Sequence, residues 1–224
     1  MAAGEIAGVK VTSIVLCGGK ERRFGSNKAL AMVAGKTAIE RVIERLEPLS
    51  DLVLVVTSPE KTNLPVFGHT RTLIDKYPGK GPLGGIYTGL IEAQSPEAIV
   101  VGCDMPFLNT QLLKKMVSMA DGFDAVVPRL DAGMIEPLHA VYARSSVSEM
   151  KEHLDNDRLS ITQLVRELKV RYMEKEEYLP LDPDMLSFFN INYPEDLERA
   201  NRLANECANV PKKMRRSAPL GPAP

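Results

Sequence analysis

The chain has 224 residues, enough for one large domain with a substantial core or two small ones. Hydrophobic residues make up 44% and charged residues 25%, ordinary values for a soluble globular protein. Lys and Arg number 28 and Asp and Glu 29, so the net charge of −1 argues against broad binding to nucleic acid or a membrane surface, while a local basic cluster could still hold a phosphate.

The N-terminal stretch MAAGEIAGVKV carries Glu5 and no long apolar block, and so reads as neither a signal peptide nor a membrane anchor. Val11 to Cys17 is a β-branched apolar run stopped by Gly18 and Gly19, the pattern of a fully buried strand. A polar loop follows to about Asn27. Thr37 and Glu40 have capping-box spacing and open a helix to about Leu46, ended by Pro48. Residues 51–57 and 71–75 read as the second and third strands. The Gly- and Pro-rich stretch 76–85 reads as a loop, and 86–93 as the helix leaving it. Residues 98–103 form a fourth buried strand ending at Asp104-Met105-Pro106. Asn109 is placed to cap a helix whose apolar positions are Leu112, Leu113, Met116 and Val117.

Residues 125–127 and 137–142 are expected as the fifth and sixth strands. Ser146 with Glu149, and Ser160 with Gln163, repeat the capping-box spacing. Residues 170–173 read as an outer strand and 188–191 (FFNI) as a late strand. Pro194, Glu195 and Asp196 suit the first turn of a helix running to about Asn205. The expectation is one domain over residues 1–206 and a disordered tail over 207–224, where a basic cluster is followed by Ala, Pro and Gly. Alternating strands and helices imply a three-layer α/β/α fold around a mostly parallel sheet covered on both faces.

Cys17, Cys103 and Cys207 form no CxxC pair and are odd in number, which suits reduced thiols in a cytoplasmic protein. Cys17 and Cys103 each end an apolar run and are expected as buried packing residues. GxGxxG is absent, because the loop reads GGKERRFG. A Walker A loop would need glycine five residues before Gly35-Lys36-Thr37, but Leu30 stands there, so GKT reads as a turn and helix cap.

Sheets of this kind bind ligands beyond the carboxyl ends of their strands. Gly18, Thr57, Asp75 and Asp104 stand at the ends of the first four strands and should share one rim. The loop from Gly18 to Lys28 has what a triphosphate needs: glycines that let backbone N–H groups approach the oxygens, and Arg22, Arg23 and Lys28 for charge. Asp104 is placed either to hold Mg²⁺, which takes a few carboxylates plus substrate phosphates, or to cap the turn before Pro106. Asp75 is placed to accept hydrogen bonds from a base or ribose. The KGPLGG stretch, Lys80 to Gly85, is either a backbone surface for a flat ring or a plain connection. His139, alone in an apolar strand, reads as a satisfied core residue. Asn190 and Asn192 alternate and form either a polar pocket wall or a structural pair.

On these residues the chain resembles a known family. LCGGKERRFGSNKAL is similar to the LAGGxSxRMGxDKAL signature of the molybdenum cofactor guanylyltransferases, and LIDKYPGKGPLGGIYTGL, VVGCDMPFL, PLHAVY and FFNINYPEDL resemble its later blocks in the same order. The resemblance spans roughly Val11 to Asn205. It implies a Rossmann-related, GT-A-like nucleotidyltransferase that transfers GMP from GTP to the molybdopterin cofactor and releases pyrophosphate. It also implies GTP contacts at Leu16, Cys17, Gly18, Gly19, Lys28, Asp75 and Asp104. Lys28, Arg23 and Asp104 would be the catalytic groups and Asp104 the ligand of Mg²⁺. The partners would be GTP and molybdopterin, with other cofactor-assembly proteins or molybdoenzymes beside them. Cys17 replaces the usual Ala, Phe24 a Met and Asn27 a frequent Asp, while Thr57 and Ser58 fall where some members have Asn. Related enzymes using CTP, and a GTP-binding partner without catalysis, remain the alternatives.

Overall fold

The structure is a computed structural model and describes residues 10–18, 28–60, 64 and 70–209, the last three by backbone alone. Strand β1 (Val11–Leu16) lies inside a seven-stranded sheet, third from one edge. It pairs in parallel with β4 (Ser50–Thr57) on one side and β6 (Glu97–Gly102) on the other, and β5 (Thr70–Ile74) adds to β4. Beyond β6 come β8 (His139–Ala143), β7 (Ala125–Pro128) and β9 (Val170–Met173). Only β8 runs against the others in this sheet: it is antiparallel to β6 and β7, and β9 is again parallel to β7.

Successive strand residues face opposite sides, and here both sides are apolar. Val15, Val55 and Val101 enter one core, closed by α1 (Ala38–Leu46) and α3 (Thr110–Ser118). Ile14, Leu54 and Val100 enter the other, closed by α2 (Gly81–Glu92), α4 (Val147–Asp155) and α5 (Ile161–Glu167). Each fully buried Leu or Ile in these cores contributes about 1.5–3 kcal/mol relative to exposure. The three layers follow from that two-sided burial. The helix α7 (Pro194–Asn209) packs separately, against a small hairpin of β2 (Met32–Val33) and β3 (Lys36–Thr37).

The sequence reading of GKT agrees with the structure. Ala34 and Gly35, with φ of 45° and 82°, make the two-residue hairpin turn, and the Ala34 N–H donates to Asn201 Oδ1 at 2.8 Å. Thr37 then caps α1, its hydroxyl accepting from the Glu40 N–H while the Glu40 carboxylate accepts from Thr37. Asn109 caps α3 by accepting from the N–H groups of Gln111 and Leu112.

Five expectations need correction. The loop expected over 76–85 ends at Lys80: α2 begins at Gly81, with Pro82 in its first turn, where its missing N–H leaves no intrahelical bond unmade. Gly85 and Gly89 let this helix lie directly on β1, since a Cβ at Gly89 would stand 2.6 Å from Ile14. The FFNI strand does not form. Buried Asp182 accepts from the N–H groups of Leu186 and Ser187, and Met185 takes φ 53°, which curls the chain into a short 3-10 turn over Leu186–Phe188. Ser146 makes no cap, because its backbone is already helical after a 3-10 turn over Arg144–Ser146 and its hydroxyl donates to Ala143 O. Ser160 does cap α5, but Gln163 reaches forward to Glu167 and leaves the box half made. Helix α7 runs past the expected boundary at residue 206 to Asn209, and the tail from residue 210 lies outside the described residues. The short α6 (Lys175–Tyr178), capped by Glu174, was not anticipated.

Candidate active site

The register brings the strand ends level. Leu16 lies opposite Val56 and Gly102, and Thr57 opposite Ile74. The ladder continues one step further through Cys17 N to Val56 O, Cys103 N to Leu16 O and Asp75 N to Thr57 O, at 2.8, 3.1 and 2.8 Å. Gly18, Thr57, Asp75 and Asp104 therefore share the carboxyl rim, as the sequence suggested. From β1 the chain crosses to β4 on one side and later to β6 on the other. This is the switch point at which such sheets open a crevice for ligands.

Leu16 and Cys17 are buried, with their side chains in opposite cores, so what they can present to a ligand is backbone. Gly18 is exposed. Gly19 and Arg23, with Arg22, lie outside the described residues. Lys28 opens the 3-10 turn Lys28–Leu30, and its ammonium reaches across the crevice. It donates to Asn192 Oδ1 at 2.7 Å and lies 3.7 Å from Asp104 Oδ2. Both side chains are mostly covered, 20% exposed for Lys28 and 23% for Asp104. Three segments remote in sequence meet here, and none is held by chance. The Asp104 carbonyl accepts from Ile191 N at 3.0 Å, which ties the 189–192 segment to the rim. Asp196 accepts from the N–H groups of Asn192 and Tyr193 and fixes the start of α7 beside it. A Cβ at Gly102 would stand 2.6 Å from Asp104 Oδ1, so that carboxylate position requires glycine there.

Asp75 serves its own turn first. Its Oδ1 accepts from Tyr77 N at 2.9 Å and from the Thr88 hydroxyl at 3.1 Å, and it lies under the start of α2. Asn190 donates to Phe188 O, while Asn192 accepts from Lys28.

Glu136 is a rim residue that the sequence reading passed over. Its N–H donates to Pro128 O at the end of β7 and its carboxylate accepts from Leu138 N, while Leu138 O accepts from Gly102 N at the end of β6. It precedes β8, and only the reversed direction of that strand places a residue before it on the carboxyl rim. Burial raises the carboxyl pKa of both Asp104 and Glu136. The Lys28 charge works against the rise at Asp104, and the Asp104 charge adds to it at Glu136.

His139, at the start of β8, is fully buried against Phe188, ring centroids 5.0 Å apart. It is core, but not satisfied: among the described residues neither ring nitrogen has a partner in good hydrogen-bond geometry. Burial pushes its pKa down to about 3, and the Ser187 backbone offsets only part of this. Cys17 and Cys103 are buried and form no disulfide among the described residues. Among the described residues no helix is long and apolar enough to cross a membrane.

Residues 13–171 match the family model of the MobA-like NTP transferase domain. The chain belongs to that family. It is 38% identical over 193 residues to a molybdenum cofactor guanylyltransferase of Desulfosudis oleivorans, covering 85% of this chain and 94% of that one. It is 37% identical to a probable molybdenum cofactor guanylyltransferase of Methanosarcina acetivorans, covering 84% and 88%. The crystal structure of molybdopterin-guanine dinucleotide biosynthesis protein A from Archaeoglobus fulgidus superposes with a TM-score of 0.77 at 31% identity, over 87% of this chain and 99% of that one. A cytidylyltransferase of Thermus thermophilus acting on 2-C-methyl-D-erythritol 4-phosphate shares the fold, with a TM-score of 0.65 at 20% identity, over 88% and 99%. The chain is thus a nucleotidyltransferase of molybdenum cofactor biosynthesis, with the Rossmann-related fold of these enzymes.

Proposed function

We propose that this enzyme transfers GMP from GTP to the terminal phosphate of the molybdopterin cofactor and releases pyrophosphate, with Mg²⁺ required. The observation that carries the reading is the meeting of Lys28, Asp104 and Asn192 at the switch point, directly beyond the strand that feeds the glycine loop. The names of the relatives supply the choice of GTP and of the acceptor.

The donor set suits Mg²⁺. Among the described residues no three His, Cys, Asp or Glu side chains form a cage. Asp104 instead offers a partly covered carboxylate, with Glu136 adding negative charge nearby. Mg²⁺ is held by one or two carboxylates together with substrate phosphates. When bound, it neutralises phosphate charge as a Lewis acid.

In the proposed reaction an oxygen of the acceptor's phosphate attacks the α-phosphorus of GTP in line. The bond from the α-phosphorus to the bridging oxygen of the β-phosphate breaks, and pyrophosphate leaves with that electron pair. The attacking phosphate is already ionised, so no general base is needed. Lys28, oriented by Asn192, meets the developing charge, and Arg23 would reinforce it from the loop. The protein's contribution is positioning and fixed electrostatics.

The test is pyrophosphate release by the purified protein with Mg²⁺, molybdenum-loaded pterin cofactor and each nucleoside triphosphate in turn. Release with GTP is expected. Release with CTP and not GTP would overturn the assignment, and GTP binding without release would make the protein a non-catalytic partner.

A further inference from the structure

A second cavity opens on the same rim, on the far side of β6. It has a volume of about 520 Å³ and is lined by Arg129, Met134, Ile135, Thr162, Arg166 and Tyr172, among others. That volume lies within the range of small-molecule sites. Arg129 and Tyr172 belong to the carboxyl ends of β7 and β9, which run parallel to each other and in the sense of β6. With strands about 4.8 Å apart, β7 lies roughly 10 Å and β9 roughly 14 Å from β6.

The cavity is a built feature. Arg129 lays its guanidinium over the Tyr172 ring, 4.0 Å from the centroid, and pairs with Glu174 at 2.9 Å. Its backbone N–H extends the ladder to Met173 O. The following turn is pinned by Leu130 N to Met134 O at 2.7 Å and by Glu136 N to Pro128 O at 3.0 Å. Met134 is nevertheless 62% exposed, so a fixed backbone holds a soft apolar side chain out beside a stacked arginine–tyrosine pair. Arg166, exposed on α5, brings a second guanidinium to the same space. Ile135 lines the cavity, and the next residue, Glu136, accepts from Leu138 N, whose carbonyl accepts from Gly102 N at the end of β6, so cavity and crevice adjoin.

We infer that this cavity is the subsite for the ring system of the acceptor, with the Arg129–Tyr172 stack and Met134 bounding a flat heterocycle and Arg166 donating hydrogen bonds to its carbonyl and ring-nitrogen acceptors. The inference rests on the proposed transfer to a pterin phosphate. In-line displacement puts the attacking group opposite the leaving pyrophosphate. In the proposed reaction Lys28 meets the leaving group from the side of β1, so the acceptor enters from the β8–β7 side. An acceptor with its phosphate at Asp104 then extends its ring toward Arg129 and Tyr172. A guanidinium plane stacks on flat rings and donates hydrogen bonds to oxygen acceptors, and an aromatic face gives a flat ring a stacking surface.

The experiment binds the molybdopterin cofactor to the full chain, read by pterin fluorescence, and separately measures pyrophosphate release with GTP. Arg166→Glu and Tyr172→Leu are compared with Arg144→Glu, an exposed residue just past the end of β8 at the opposite rim. The dissociation constant for the pterin should rise by about tenfold or more in the first two, with the KM for acceptor rising alike and GTP affinity unchanged. The Arg144 variant should match the wild type. Unchanged pterin binding in Arg166→Glu and Tyr172→Leu, or an equal loss in Arg144→Glu, would overturn the inference. Absence of pyrophosphate release by the wild type would overturn the transfer itself, while the binding comparison would still be read.

Discussion

The rim over β5, β4, β1 and β6 and the rim over β8, β7 and β9 are built differently. On the first, backbone at the end of β1 and short side chains after β5 and β6 meet at a topological switch, held by parallel ladders whose ends are level. On the second, an antiparallel strand interrupts the pattern, and the chemistry comes from long side chains on a turn, a helix and an edge strand. The first arrangement suits a triphosphate, whose oxygens are recognised by closely approaching N–H groups and a few fixed charges. The second suits a larger, flatter ligand, for which surface matters more than any single hydrogen bond. On the proposed reading one sheet serves two substrates, because the reversal at β8 ends one kind of rim and begins the other.

Asp104→Ala should most sharply separate the two regions. Loss of the carboxylate is expected to lower pyrophosphate release by about a thousandfold while pterin affinity stays within about twofold of wild type. Equal loss of both would merge them into one site. Gly102→Ala tests the same carboxylate through its position: the new Cβ would stand 2.6 Å from Asp104 Oδ1 and displace it. A fall of about a hundredfold in kcat is expected with circular dichroism unchanged. Asn192→Ala removes the acceptor that aims Lys28. About a tenfold loss in kcat/KM for GTP should follow, the order of one hydrogen bond to a charged group, with the KM for the pterin acceptor unmoved.

The last effect concerns stability rather than catalysis, at the junction between the regions. His139 has a folded pKa of about 3, below its ordinary 6.5, so below pH 6.5 the unfolded chain binds a proton that the folded one refuses. Stability is therefore full above pH 6.5 and is lost as the pH falls toward 3. Between pH 6.5 and 5 the loss is about 2 kcal/mol. Urea titrations at the two pH values should show it in the wild type, and His139→Leu should remove that part.

Legibility in the sequence follows the same division. The β1, β4 and β6 strands and the caps at Thr37 and Asn109 were readable, because apolar runs and capping spacing are local signals. The common rim of Gly18, Asp75 and Asp104 followed from strand direction alone. The start of α2 was misplaced, since two buried glycines and a proline suit a close-packed helix N-terminus as well as a loop. The 188–191 segment misled because its alternation is genuine, yet the buried Asp182 turns the chain before a ladder can form. Glu136 and the Arg129–Tyr172 stack were invisible for a different reason. Their meaning depends on β8 running backwards, and no residue within β8 announces its direction. The Lys28–Asn192 hydrogen bond joins residues 164 positions apart, which no local pattern can reveal.

The central claim is tested most directly by the mass of the product formed from enzyme, Mg²⁺, GTP and molybdenum-loaded pterin cofactor. The expected product is the acceptor enlarged by one GMP, with one pyrophosphate released for each. An unchanged acceptor, or GDP and phosphate as the only products, would contradict it.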